Sequence, residues 1–203
     1  MLSPAGDAQY AGRTIDGTFE RGITLQCVER LKQELESRYS KVRIILTRVP
    51  GETIQHLQNA SFANRLDADL YISIHFFPQK SGTPNVYLYY FCLNTVTDSW
   101  NFGKNNLTFV PYNKAHIAQL PLTKQIVSTL FETLANQKKN SFVVHAPLGM
   151  PFAPLIGIKA PAVGIEMSLQ HNHDWSLFMP ALIESIGAIL ESIKKKKYRH
   201  AYY

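Results

Sequence analysis

Cysteine is scarce in this sequence, with only Cys27 and Cys92 among 203 residues. Without CxxC spacing they define no disulfide framework, and both read as small buried apolar side chains. No run of about 18 apolar residues occurs, which excludes a membrane-spanning helix on sequence grounds. No signal peptide is read in these residues, and a native leader is expected to precede them. Gly149-Met150-Pro151 and Gly157-Ile158-Lys159 reproduce neither a phosphate loop nor a dinucleotide fingerprint, no Gly-x-Ser-x-Gly elbow is present, and there are no internal repeats. Positive charge is in excess, with a net +6, yet Lys194, Lys195, Lys196, Lys197 and Arg199 supply all but one of those charges. A basic end behind an amphipathic helix is a solvated tail, so nucleic acid is not an expected partner.

What is present is a chain of one-domain size in which 45% of residues are hydrophobic, enough for a single core. The opening Met1-Leu2 runs straight into a Pro-Gly-Asp loop and is expected to be a truncated first strand. From Ile23 to Tyr39 the apolar residues Ile23, Leu25, Val28, Leu31 and Leu35 recur at helical steps. Val42 to Thr47 is short and β-branched, the pattern of a strand covered on both faces. A second helix is expected over Ile54 to Leu66, a buried strand over Asp69 to His75 and an aromatic strand over Asn85 to Phe91. Cys92 to Lys114 reads as a long loop. His116 to Asn136 is helical, its regular part delayed by Pro121. Val143-Val144, Leu155 to Ile158 and Ala162 to Glu166 are further strands, and a helix over Trp175 to Lys195 takes Asp174 as N-cap. Helices alternating with buried strands predict an α/β fold: a single three-layer domain over residues 1–193 with a twisted, mainly parallel central sheet flanked by helices, then a basic and aromatic tail over 194–203.

Three ionisable residues stand where apolar runs end. Glu20 precedes the first helix, a place the helix dipole alone favours for an acid. His75 closes the Tyr71-Ile72-Ser73-Ile74 run, at the carboxyl end of a strand where open α/β sheets put their chemistry. Glu166 interrupts Val163-Gly164-Ile165, and a carboxylate leaving an apolar strand resists ionisation unless paired or bound to a cation. Together they could fill three of the four protein roles of a zinc hydrolase, which uses three ligands and a general base. His171-Asn172-His173-Asp174 is metal-like in composition but would need partners from elsewhere. The aromatic stretch from Tyr87 to Tyr112 could stack on a sugar or peptide, or simply form core.

The order of Ser3-Pro4-Ala5-Gly6, Glu20, Leu46-Thr47-Arg48, Ala63-Asn64, Ala68 to His75 and Pro161-Ala162-Val163-Gly164-Ile165-Glu166 resembles the zinc-dependent N-acetylmuramoyl-L-alanine amidases across nearly the whole chain. Asn172 falls near the asparagine that follows the last motif. The resemblance implies Glu20 and His75 as zinc ligands and Glu166 as the catalytic carboxylate. The family's first histidine is replaced by Gly6, and the adjacent Asp7 is the candidate for the vacant ligand place, the alternative being a carboxylate that caps its own loop. Asn59 stands where the family often has arginine. The implied activity is hydrolysis of the amide between N-acetylmuramic acid and L-alanine, with one Zn2+ per chain, peptidoglycan or a muropeptide as substrate, and an extracytoplasmic site of action. The lost histidine also allows a non-catalytic relative that binds the cell wall, or a peptidase acting on another amide.

Overall fold

A computed structural model describes residues 1–93, 110–136 and 141–200, the side chains of the last helix through Ile193. Strands β1 (Leu2–Pro4), β4 (Tyr71–Pro78) and β8 (Ala162–Leu169) run parallel, β4 and β8 paired over their full lengths from Tyr71↔Ala162 to Pro78↔Leu169. β5 (Asn85–Phe91) lies antiparallel to β8 on its other side, with Tyr87 opposite Glu166. β6 (Val143–Val144) and β7 (Leu148–Met150) extend the sheet beyond β5, giving the order β1-β4-β8-β5-β6. A small hairpin of β2 (Thr14–Ile15) and β3 (Thr18–Phe19) stands apart from it.

Successive strand residues point to opposite faces. Ile72, Ile74 and Phe76 on β4 and Val163, Ile165 and Met167 on β8 enter the main core, where α1 (Glu20–Arg38), α3 (Leu120–Ala135) and α4 (Met179–His200) cover the sheet. The intervening residues Tyr71 and Ala162 face a smaller cluster with Ala60 and Ala63 of α2 (His56–Arg65) and with Leu155 and Ile158. Burial on both faces is why β4 and β8 read as near-continuous apolar runs. The three-layer, mainly parallel α/β arrangement expected from the sequence is therefore the one observed.

Several expected elements differ. Val42 to Thr47 is not a strand: among the described residues its ladder contact is the isolated bridge Leu2↔Leu46, and β1 beside it spans three residues. Ile44 instead gives its N–H to Glu36 of α1 at 2.7 Å. Leu155 to Ile158 is a turn entered from a 3-10 segment at Ala153–Leu155, with Gly157 at φ +80°. Asp174 does not cap α4. Its carboxylate accepts the N–H groups of Gln170 and His171, and a 3-10 segment over Asp174–Phe178 precedes the helix. Asp174–Ile193 is by length and composition apolar enough to cross a membrane, which the sequence reading excluded; half of it is buried inside the fold, with Leu182, Ile183, Ile186 and Ile189 in the main core. Most of the expected long loop and the tail beyond residue 193 lie outside the described side chains.

Ile165 is fully buried at the centre of β8. Ile165→Ala is expected to lower unfolding free energy by about 2–5 kcal/mol in chemical denaturation, whereas Val143→Ala at the exposed sheet edge should change it by less than about 0.5 kcal/mol.

Candidate active site

The register of the sheet builds the site. His75 and Glu166 are direct partners on β4 and β8, and Tyr87 is the partner of Glu166 on β5. Glu166 is 14% exposed at its side chain. Its Oε1 accepts a hydrogen bond from Arg13 Nη1 at 2.7 Å and its Oε2 one from the Tyr89 hydroxyl at 2.9 Å. Burial, and next the bond to Glu166, push the Tyr89 phenol well above its usual range, so it stays a donor. Phe152 packs against both neighbours, edge-on to His75 at 5.1 Å and stacked on Tyr89 at 5.0 Å. Tyr87 stacks on His145 at 4.3 Å, which places His145 beside the site. His116 instead meets Phe91, farther along β5.

Glu20 opens α1 and is buried, its carboxylate fixed by two backbone donors: Phe76 N–H at 3.0 Å to Oε1 and Arg13 N–H at 3.1 Å to Oε2. The Glu20 N–H returns a bond to the Arg13 carbonyl at 2.8 Å. This reciprocal clamp needs glycine at position 12, where φ is +75° and a Cβ would stand 2.7 Å from Glu20 Oε2. Burial raises the Glu20 pKa, against the two N–H bonds and the Arg13 charge. His75 Nδ1 lies 3.8 Å from Glu20 Oε1, beyond hydrogen-bond range, while Nε2 is 2.8 Å from Ser73 Oγ. Burial lowers the His75 pKa to about 4, although Glu166 pulls it upward. The imidazole is neutral at neutral pH.

Arg13 joins these groups. Its Nη1 donates to Glu166 and, at 2.9 Å, to the Phe76 carbonyl, and lies 4.0 Å from Glu20 Oε1. The side chain is 48% exposed. Sequence reasoning missed Arg13, Phe152 and Ser73, and gave Tyr89 no role beyond its place in the aromatic stretch. Tyr89 and Ser73 were open to discovery, since each lies two residues from a noted residue and so shares its sheet face. Arg13 sits in a hairpin approach with no periodic signal.

Asp7 is not brought to Glu20 and His75. Its Oδ1 accepts the N–H groups of Gln9 at 2.8 Å and Tyr10 at 2.6 Å, and its Oδ2 that of Ile54 at 3.3 Å. Burial raises its pKa, but these bonds and the charge of Arg48 bring it below the usual value. Asp7 thus ties its own loop. Arg48 holds the same loop through the carbonyls of Ala5 and Arg21, and Asn59 lies beneath, 3.5 Å from Ser3 Oγ. The His171-to-Asp174 run is a surface clip: Asn172 bonds Asp16 and Thr18 of the hairpin, and His171 lies 3.5 Å from Asp16.

These residues do not fit a zinc ion. Among the described residues no three His, Cys, Asp or Glu side chains come together as a ligand set. Gly6 has no donor and cannot regain one cheaply, since φ is +70° and a Cβ there would stand 2.8 Å from the Arg21 Cβ. A cation on Glu20 Oε1 at about 2 Å would lie within about 6 Å of the Arg13 guanidinium, where like charges repel.

Open, mainly parallel α/β sheets place their chemistry beyond the carboxyl ends of their strands, whereas here His75 and Glu166 stand in the middle of β4 and β8, each strand running three residues further. The N-acetylmuramoyl-L-alanine amidase family model matches residues 2–179, and the chain belongs to that family. The amidase CwlM of Bacillus licheniformis is 30% identical over 75 residues, which are 37% of this chain and 30% of that relative. The catalytic domain of CwlV from Bacillus (Paenibacillus) polymyxa var. colistinus has a similar structure, with TM-score 0.63 and 14% identity over 94% of this chain and 96% of that one. Ami1 of Mycobacterium smegmatis gives TM-score 0.64 and 17% identity, covering 94% and 95% of the two chains.

Between pH 6.5 and about 4 the unfolded chain protonates its His75 while the folded one does not. Stability from this residue is therefore complete above pH 6.5 and lost as pH falls through that window. Glu20, with a raised pKa, acts in the opposite sense above pH 4.5. His75→Gln should flatten the fall in unfolding free energy across the window by on the order of 3 kcal/mol, measured by denaturant titration at stepped pH. A slope unchanged from wild type would mean that His75 is not held neutral by the fold.

Proposed function

We propose that this domain acts on peptidoglycan outside the cytoplasm, hydrolysing the amide between the lactyl group of N-acetylmuramic acid and L-alanine of the stem peptide. Membership of the amidase family supports the substrate. The observation that carries the chemistry is the Glu166 carboxylate, largely enclosed, ionically paired and in register with His75.

In this reading Glu166 accepts a proton from an attacking water and returns it to the leaving amine. Both Arg13 side-chain hydrogen bonds among the described residues use Nη1, and in this reading the N–H groups on Nη2 and Nε meet the carbonyl oxygen as negative charge develops there. Tyr89 and Arg13 hold the carboxylate in one orientation, and Phe152 limits water around His75. Glu20 fixes the backbone that presents Arg13.

A second reading is favoured by one observation: Gly6 and the Asp7 loop supply no third ligand to the pair of Glu20 and His75. On that reading the domain binds the same muropeptide without cleaving it.

The test is digestion of purified peptidoglycan by the whole chain, following by mass spectrometry the appearance of stem peptides with a free L-alanine amino group. Wild type should release them, and Glu166→Gln should lower the rate by about 100-fold or more. Absence of release together with co-sedimentation on intact sacculi would replace hydrolysis with binding.

A further inference from the structure

We infer that Arg13 is the resident cation of this site, taking the place of the divalent metal that the family resemblance implies, so that the chain works without bound metal. The inference rests on Glu20, His75 and Glu166 being the functional cluster, and not on turnover.

Position is the first argument. One guanidinium nitrogen reaches Glu166 Oε1 at 2.7 Å and the Phe76 carbonyl at 2.9 Å, with Glu20 Oε1 at 4.0 Å. That same Glu20 oxygen lies 3.8 Å from His75 Nδ1. A single positive charge thus lies among two carboxylates and a carbonyl, next to a neutral histidine.

The second argument is that this position is built and not incidental. The Arg13 main chain is clamped to Glu20 in both directions, by bonds of 3.1 and 2.8 Å. Glycine at position 12 permits the close approach. The hairpin that follows is held to the turn after β8 by Asn172, through Asp16 at 3.4 Å and Thr18 at 3.2 Å. The guanidinium also lies over the Phe77 ring at 6.0 Å, and Arg has the planar, permanently charged donor set suited to a fixed carboxylate.

The third argument is the matching loss of ligands. Gly6 offers no donor atom, the Asp7 carboxylate is committed to three backbone N–H groups, and a divalent ion beside Arg13 would leave the two carboxylates facing excess positive charge. Removing the arginine reverses that balance.

The experiment compares zinc binding by wild type, Arg13→Ala and Arg13→Lys, using elemental analysis after equilibration with zinc and competition against a chromophoric chelator. Melting temperatures with and without EDTA accompany each. Wild type should retain no stoichiometric zinc and melt at the same temperature in EDTA. Arg13→Ala should bind zinc about tenfold more tightly or better, while Arg13→Lys, with its charge kept, should resemble wild type. If Arg13→Ala does not fold, Arg13→Gln makes the same comparison without the charge. Stoichiometric zinc on wild type overturns the inference, and so does equal zinc binding by wild type and the neutral variants. Running the peptidoglycan digestion in EDTA separates the two readings. Turnover lost to EDTA and restored by zinc would sink the inference but leave the amidase. A missing turnover with the expected zinc pattern would remove only hydrolysis.

Discussion

A carboxylate in the middle of a strand buried on both sides is the constraint around which this fold is arranged. Glu166 lies between β4 and β5, with its flanking residues Ile165 and Met167 in the main core. An ionised group there loses most of its hydration, a cost met only by strong donors. Arg13 and Tyr89 are those donors. Arg13 in turn needs its hairpin approach, which needs Glu20 at the start of α1, so a helix terminus, a hairpin and three strands converge on one side chain.

The same electrostatics assigns different states to neighbouring groups. Arg13 stabilises the negative charge on Glu166 and also helps hold His75 neutral, while Glu166 opposes it. Desolvation is the largest influence on both His75 and Glu20, pushing the first down and the second up. In both cases burial favours the uncharged form. Arg13 is the permanent positive charge of the cluster, ion-paired with Glu166 and flanked by the neutral His75. A substrate carbonyl entering this site meets an already oriented ion pair, which is the preorganisation that electrostatic catalysis and tight recognition both require.

The parts of this arrangement legible in the sequence are those enforced by packing. β4 and β8 were readable because burial on both faces leaves continuous apolar runs, and within such runs His75 and Glu166 stand out. α1 was readable from Ile23, Val28, Leu31 and Leu35 at helical spacing. Val42 to Thr47 misled, since its composition is strand-like but a ladder depends on a partner, and β1 is too short to supply one. Leu155 to Ile158 misled for a related reason: apolar residues packed under α2 serve a turn as well as a strand. Asp7 was placed as a candidate by adjacency to Gly6, whereas its neighbours' N–H groups decide its role. Arg13 left no trace because its importance lies in a contact across 153 residues, which no local pattern encodes.

Gly6 and Arg13 bear on the same cluster from two sides. The loop from Ala5 to Tyr10 closes on α1 with φ +70° at Gly6, and Asp7 seals it through its own backbone bonds. Arg48 and Arg21 hold the same loop by donating to its carbonyls. Putting a side chain back at position 6 would strain the backbone and displace Arg21, so a single substitution does not restore a ligand. With no donor at position 6, the Arg13 guanidinium, its main chain clamped to Glu20, sets a covalently attached positive charge beside the two carboxylates and needs no binding equilibrium. The scaffold can then stay that of an amidase while the source of positive charge moves from solution into the chain.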